Sequence, residues 1–214
     1  PVQISFAAND NEGGSGILKT EYSLDNGLIW QNYYDSIIFN DSGEYLILYK
    51  TTDKAGNVEE TKERTVKLDL IKPETQINMS GDLGNNGFYI SATEVTLTAA
   101  DQGGSGLFKT EYSLDNGLNW LAYGSPIIFD NDGEHNILFR STDSAGNTEE
   151  NKEQKIKIDK TAPITQISSA GTLGNNGWRI SDISAELIAT DNQGGSGILK
   201  TEYSLDDGQT WQVY

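Results

Sequence analysis

Aspartate is the residue whose spacing in this chain most invites chemistry. Asp10, Asp101 and Asp191 each stand just ahead of a Gly-Gly-Ser-Gly run. Asp53 and Asp143 each open an Asp-x-Ala-Gly-Asn segment, which adds Asn57 and Asn147, and a glutamate follows at Glu59 or Glu149. Carboxylate and amide oxygens gathered at one pole of a domain are ligands for a hard cation such as calcium, which takes about six to eight oxygens. The same residue types also satisfy backbone groups in turns, with Gly56 and Gly146 left-handed. Both readings stand at the level of sequence. The spacing is not that of an EF-hand loop, Asp-x-Asp-x-Asp-Gly.

A second pattern is the octapeptide Ser204 to Trp211, SLDDGQTW. It fits Ser-x-Asp-x-Gly-x-Thr-Trp, the Asp-box of sialidase propellers. A sialidase also needs several blades and an arginine cluster for the substrate carboxylate. The three arginines, Arg64, Arg140 and Arg179, align with Gln154, Lys50 and Tyr89 in other copies, so they form no repeated site. In the related segments the Thr of the box is Ile29 or Asn119. The expected role is structural: turns at Asp25-Asn26-Gly27, Asp115-Asn116-Gly117 and Asp206-Asp207-Gly208, with Trp30, Trp120 and Trp211 packed on the strand. Asn-Gly in such a place signals a two-residue hairpin. A sugar platform built on these tryptophans is the alternative, and it requires them to be exposed.

The lone histidine, His135, aligns with Tyr45 and reads as a packing position. Ser15, Ser105 and Ser196 sit in the Gly-rich turns with no repeated His to activate them. No catalytic constellation emerges, and the expectation is that the chain is not an enzyme. Asn40-Asp41-Ser42 and Asn78-Met79-Ser80 match the glycosylation sequon and are read as chance.

The elements that would position these residues repeat. GGSGILKTEYSLDNGLIW at Gly13 and GGSGLFKTEYSLDNGLNW at Gly103 agree at fifteen of eighteen positions, and GGSGILKTEYSLDDGQTW follows at Gly194. GDLGNNGFYIS at Gly81 recurs as GTLGNNGWRIS at Gly171. The period is about ninety residues, too long for a solenoid turn and right for one small domain per copy. Val95, Leu97 and Ala99 alternate with polar residues, as do His135, Ile137, Phe139 and Ser141, and Lys155 to Asp159. Phe108, Thr110, Tyr112 and Leu114 are expected on one face of a strand. Seven short strands per copy, with frequent turn signals and no helical period, predict an all-β fold. The reading is tandem immunoglobulin- or fibronectin-III-like β-sandwich domains forming an extended rod. The boundaries fall at Lys72-Pro73 and Ala162-Pro163, and short joints containing Pro are stiff. Repeat one is 1–72 and lacks its first strand, since Pro1 to Phe6 aligns with Val95 onward. Repeat two is 73–162 and complete. Repeat three is 163–214 and stops after the C–C′ hairpin.

Composition narrows the partners. The 214 residues carry 32 acidic and 15 basic side chains, a net charge of -17. That excludes nucleic acid and anionic membrane, which need clustered Lys and Arg. No apolar run approaches the ~20 residues of a membrane span. Cysteine is absent, so disulfides and thiolate metal sites are excluded. Any signal peptide is expected outside this stretch.

The Asp159-Lys-Thr-Ala-Pro joint, Gly174-Asn-Asn-Gly-Trp, the KTEYSLD hairpin and the run from Arg140 to Glu149 together resemble bacterial Ig-like repeats of the OmpL47 type. The resemblance spans nearly the whole chain. It implies a β-sandwich, an extracellular or cell-surface setting and a spacer or accessory role, not an activity. The expected function is a stiff, acidic, non-enzymatic stalk. An adhesion or glycan-binding module and a subunit of an extracellular filament are the alternatives. The expected partners are neighbouring repeats, further copies of the chain, or a surface glycan or protein. The one cofactor considered is calcium.

Overall fold

A computed structural model describes all 214 residues, and its regular structure is almost wholly β. The strands of repeat one are β1 (Val2–Ile4), β2 (Ile17–Ser23), β3 (Gln31–Asn32), β4 (Ile37–Phe39), β5 (Gly43–Asp53) and β6 (Lys62–Leu68). Repeat two has β7 (Glu74–Ser80), β8 (Phe88–Tyr89), β9 (Thr93–Ala100), β10 (Leu107–Ser113), β11 (Leu121–Ala122), β12 (Ile127–Phe129), β13 (Gly133–Asp143) and β14 (Lys152–Ile158). Repeat three has β15 (Ile164–Ala170), β16 (Ser184–Thr190), β17 (Glu202–Tyr203) and β18 (Gln212–Val213). The only helical pieces are single 3-10 turns at Asn85–Gly87 and Asn175–Gly177.

The chain divides into two compact units. One comprises 1–75, 99–111 and 140–151, and the other 76–98, 112–139 and 152–214. In the first unit β1 pairs with β4, and a second sheet runs β3-β2-β5-β6. Ile37, Phe39, Ile47 and Val66 are buried between them, with Val2, Ile4 and Phe6 packed alongside. In repeat two the sheets are β12-β9-β7 and β11-β10-β13-β14-β8. Alternation along β9 turns Val95 and Leu97 inward, and alternation along β13 and β14 does the same for Ile137, Phe139, Ile156 and Ile158. Phe129 completes this core between the two sheets, which is the sandwich that the period-two pattern predicts. One pairing has no sequence signal: β8 lies parallel to β14, with Ile158 opposite Tyr89.

Three local expectations change. Ile4, not Pro1, takes the place of Val95, since Ile4 pairs with Ile37 as Val95 pairs with Ile127. Of the four residues expected on one face, Thr110 and Tyr112 lie inward, while Phe108 and Leu114 are exposed. In the matching strand β2 the register slips between Ile17 and Lys19, which turns Leu18, the counterpart of Phe108, outward. The Asn-Gly turns sit inside a longer connection, residues 24–30, instead of closing a two-residue hairpin. In repeat three β15 and β16 pair from Ile164 opposite Thr190 to Ala170 opposite Ser184. No residue from 161 to 214 is buried.

Candidate functional site

The acidic residues converge where one repeat follows another. Asp69 leaves β6 and reaches the Gly-rich loop of repeat two, where its Oδ2 accepts the Ser105 N–H at 3.0 Å. Its Oδ1 accepts the Ile71 N–H at 3.0 Å, and its main-chain oxygen accepts Asn147 Nδ2 at 3.1 Å. The approach is close enough to dictate sequence. A Cβ on Gly103 would stand 1.8 Å from Asp69 Oδ1. Ser42 Oγ accepts the Leu70 N–H at 3.0 Å, and Lys72 meets Glu150 at 2.8 Å. Beside them Glu149 is buried, taking the Ser141 N–H at 2.8 Å and the Thr75 N–H at 3.1 Å, with the Thr75 hydroxyl as a third donor.

The next joint repeats the geometry. Asp159 Oδ2 accepts the Ser196 N–H at 2.7 Å, as Asp69 accepts that of Ser105. Asp132 Oδ1 accepts the Lys160 N–H at 2.8 Å, as Ser42 accepts that of Leu70. The residue inserted before Gly194 has a use: Asn192 Nδ2 donates to Asp132 Oδ2 at 3.1 Å. Hydrogen bonds from Thr161 and Lys160 hold the Asp132 carboxyl below its ordinary pKa, and those from Ser105 and Ile71 do so for Asp69.

The residues proposed from sequence as calcium ligands divide in two. Asp101 and Asp143 come together with Asp69, one carboxylate oxygen of each lying within 4.8 Å of the others. Asn147 lies beside them but turns its amide nitrogen to Asp143 Oδ2 at 2.8 Å. Asp10, Asp53, Asn57 and Asp191 join no such group. Each carboxylate also serves a turn. Asp101 accepts the N–H of Gly103 and Gly106, and Asp143 that of Asn147. Asp10 and Asp191 accept those of Gly16 and Gly197. Asp53 accepts the N–H of Ala55 and Asn57 and the Asn57 side chain, which lowers its pKa. The sequence names Glu149 with this group but assigns no ligand role to Asp69 or Asp159, although the two recur ninety residues apart at the end of the last strand.

The octapeptide builds a turn. Asn26 and Gly27, Asn116 and Gly117, and Asp207 and Gly208 are all left-handed. Ser23 Oγ accepts the Gly27 N–H at 2.9 Å and donates to Asp25 Oδ1 at 2.7 Å, and Asp25 accepts the Ile29 N–H at 2.9 Å. The same bonds recur at Ser113 and Asp115 and at Ser204 and Asp206. They bring the Asp115 carboxyl down to about 2, chiefly through the Asn119 N–H, and that of Asp206 to about 2, chiefly through the Thr210 hydroxyl. Trp30 and Trp120 are half-buried, and Lys50 Nζ lies 4.0 Å from the Trp30 ring. Trp211 is exposed. The His135 ring packs at a tilt beside Phe129, at 5.3 Å between centroids, and its Nε2 lies 2.7 Å from Asn131 O.

The family model described as bacterial Ig-like domain matches residues 4–70 and 79–160. Among solved structures, the fibronectin(III)-like modules of Clostridium thermocellum CbhA are similar at 14% identity with a TM-score of 0.35. That match covers 73% of this chain and 84% of that chain. No curated protein matches the chain.

Proposed function

The chain belongs to the bacterial Ig-like domain family, and we propose that it serves there as a non-enzymatic, acidic spacer on or outside a bacterial cell. Its work is mechanical: beads of about 30 to 40 Å, at ~3.3 Å per strand residue, held in line by short joints. The observation that carries this reading is the repeated clasp. At each joint the aspartate after the last strand takes the N–H of the serine in the next Gly-Gly-Ser-Gly loop, Asp69 with Ser105 and Asp159 with Ser196. A flexible tether has no need of the same hydrogen bond at successive joints. The net charge of -17 adds repulsion between neighbouring molecules. Small-angle scattering tests the reading. The parent chain is expected to scatter as an elongated particle, and Asp69→Ala to broaden its distance distribution. A compact particle, or a variant indistinguishable from the parent, sinks the stiff-spacer reading.

A second reading of the same joint is a calcium clamp. The observation favouring it is the approach of Asp69, Asp101 and Asp143 to within 4.8 Å. On this reading calcium raises the melting temperature by binding the folded chain alone, and chelator reverses the rise. Identical melts in calcium and in chelator leave the carboxylates as turn residues.

A further inference from the structure

Asn-Gly occurs four times, at Asn26, Asn86, Asn116 and Asn176. The pair carries chemistry of its own, because the main-chain nitrogen of the glycine can attack the side-chain amide of the asparagine before it. No side chain on the glycine stands in the way. An intramolecular attack of this kind is fast only where the chain can bring nitrogen and Cγ together. All four asparagines are left-handed, with φ between 52 and 60, so backbone conformation does not separate them. What differs is how firmly each pair is held.

Repeat two holds one pair tightly and the other loosely. Gly117 donates its N–H to Ser113 Oγ at 2.9 Å, and Asn116 Oδ1 accepts Asn136 Nδ2 at 3.1 Å. The attacking nitrogen and the amide it would attack are thus tied to different neighbours. Leu138 Cδ1 and the Trp120 ring stand 3.6 and 3.9 Å from where a Gly117 Cβ would lie. Asn86 and Gly87, in contrast, sit exposed in a 3-10 turn that no side chain caps. Beyond its chain neighbours, no atom comes within 4 Å of the Gly87 Cβ position. The same turn recurs at Asn176 and Gly177.

We propose that Asn86 is a site of spontaneous covalent modification, converting to aspartate or isoaspartate, while the Ser113 and Asn136 hydrogen bonds hold Asn116 back. The Gly87 nitrogen gives its proton to solvent and bonds to Asn86 Cγ. The Cγ–Nδ2 bond breaks, and Nδ2 takes up a proton and leaves as ammonia, closing a succinimide. Water then opens one of the two imide C–N bonds. One opening restores the main chain with a side-chain carboxylate. The other routes the main chain through the side-chain carbon and lengthens it by a methylene. The chain already accommodates an aspartate in this conformation, at Asp207 with φ 54. The isoaspartate is harder to absorb. Its extra methylene falls inside the closure between Gly84 N–H and Phe88 O, bonded at 2.8 Å, which leads into β8 beside β14. The proposal stands apart from the spacer reading, which neither requires nor forbids it.

Peptide mapping by mass spectrometry decides it, on the full chain aged in mildly alkaline buffer, folded and in urea. In the folded chain Asn86 is expected to convert about tenfold or more faster than Asn116, since hydrogen bonds must open before Asn116 can react. In urea the two rates converge. Hydroxylamine, which cleaves a succinimide, is expected to cut the folded chain after Asn86 and to spare Asn116. Asn136→Leu installs the residue that repeat one carries as Leu46. It is expected to speed Asn116 by about threefold or more, by loss of one hydrogen bond, while the melting temperature holds. A folded chain in which Asn116 keeps pace with Asn86 overturns the proposal. So does an Asn86 that survives in the folded chain while converting in urea, or an Asn116 rate that Asn136→Leu leaves unmoved.

Discussion

At the scale of single residues, the aspartates act first as acceptors for backbone N–H groups, and two measurements follow. Gly103 has no room for a methyl group beside Asp69. Gly103→Ala is expected to cost about 1–3 kcal/mol, the usual range for overpacking, while Gly124→Ala, with nothing near its Cβ position, leaves the urea midpoint unmoved. Equal midpoints for the two variants would remove the steric account of the joint. The second measurement is acid unfolding. Asp115 and Asp206 have folded pKa values of about 2, and hydrogen bonds also lower those of Asp25, Asp53, Asp69 and Asp132. A depressed folded pKa means that the folded state holds the ionised form better than the unfolded chain does. The stability it contributes is present above the ordinary carboxyl value near 4 and is lost as pH falls through about 2. The urea midpoint is therefore expected to fall between about pH 4 and pH 2, and Asp115→Asn to fall less steeply over that window. A variant curve parallel to that of the parent would show that the Asp115 carboxylate is not a source of the slope.

At the scale of elements, the left-handed pair in each connection sets the direction of the chain. Gly117, at φ 89, is a position that a β-branched side chain tolerates poorly. Gly117→Val is expected to cost about 1–3 kcal/mol by strain alone, read as a lowered midpoint in denaturant, and an unchanged midpoint would mean that the loop re-forms another way. Most of the strands were legible in the sequence, because β9, β13 and β14 bury one face and so alternate in period two. What was not legible is instructive. The outward turn of Leu18, the counterpart of Phe108, goes with a slip in register that side-chain type does not encode. The two residues of β8 join a sheet through main-chain bonds, which leave no trace in hydropathy. Asn116 and Gly117 are both left-handed, but the length of their connection is set by the Ser113 and Asp115 side chains that hold residues 114–120 together. The role of Asp69 and Asp159 went unread because each is satisfied by a neighbouring repeat, and a single strand gives no sign of that partner.

At the scale of the whole chain, burial is unevenly spread, and local stability should follow it. Ile137 and Ile158 are fully buried and Ile156 nearly so, with Val95 opposite them on β9. From 161 to 214 no residue is buried, and Ile164, Ile167, Trp178 and Leu205 are largely exposed. Repeats gain stability from their own core and from their neighbours, so a segment with little buried surface opens more readily. Hydrogen exchange is expected to be slow along β13 and β14 and fast along β15 and β16, although both pairs have full ladders. The contrast separates two sources of protection. If ladder hydrogen bonds alone protected the amides, the two pairs would exchange alike; if buried apolar surface decides, they differ by orders of magnitude. Limited proteolysis gives an independent reading, with early cleavage expected beyond Pro163 and residues 1–160 persisting. Equal protection on both sides of Pro163 would show that residues 161–214 are ordered by something other than their own burial.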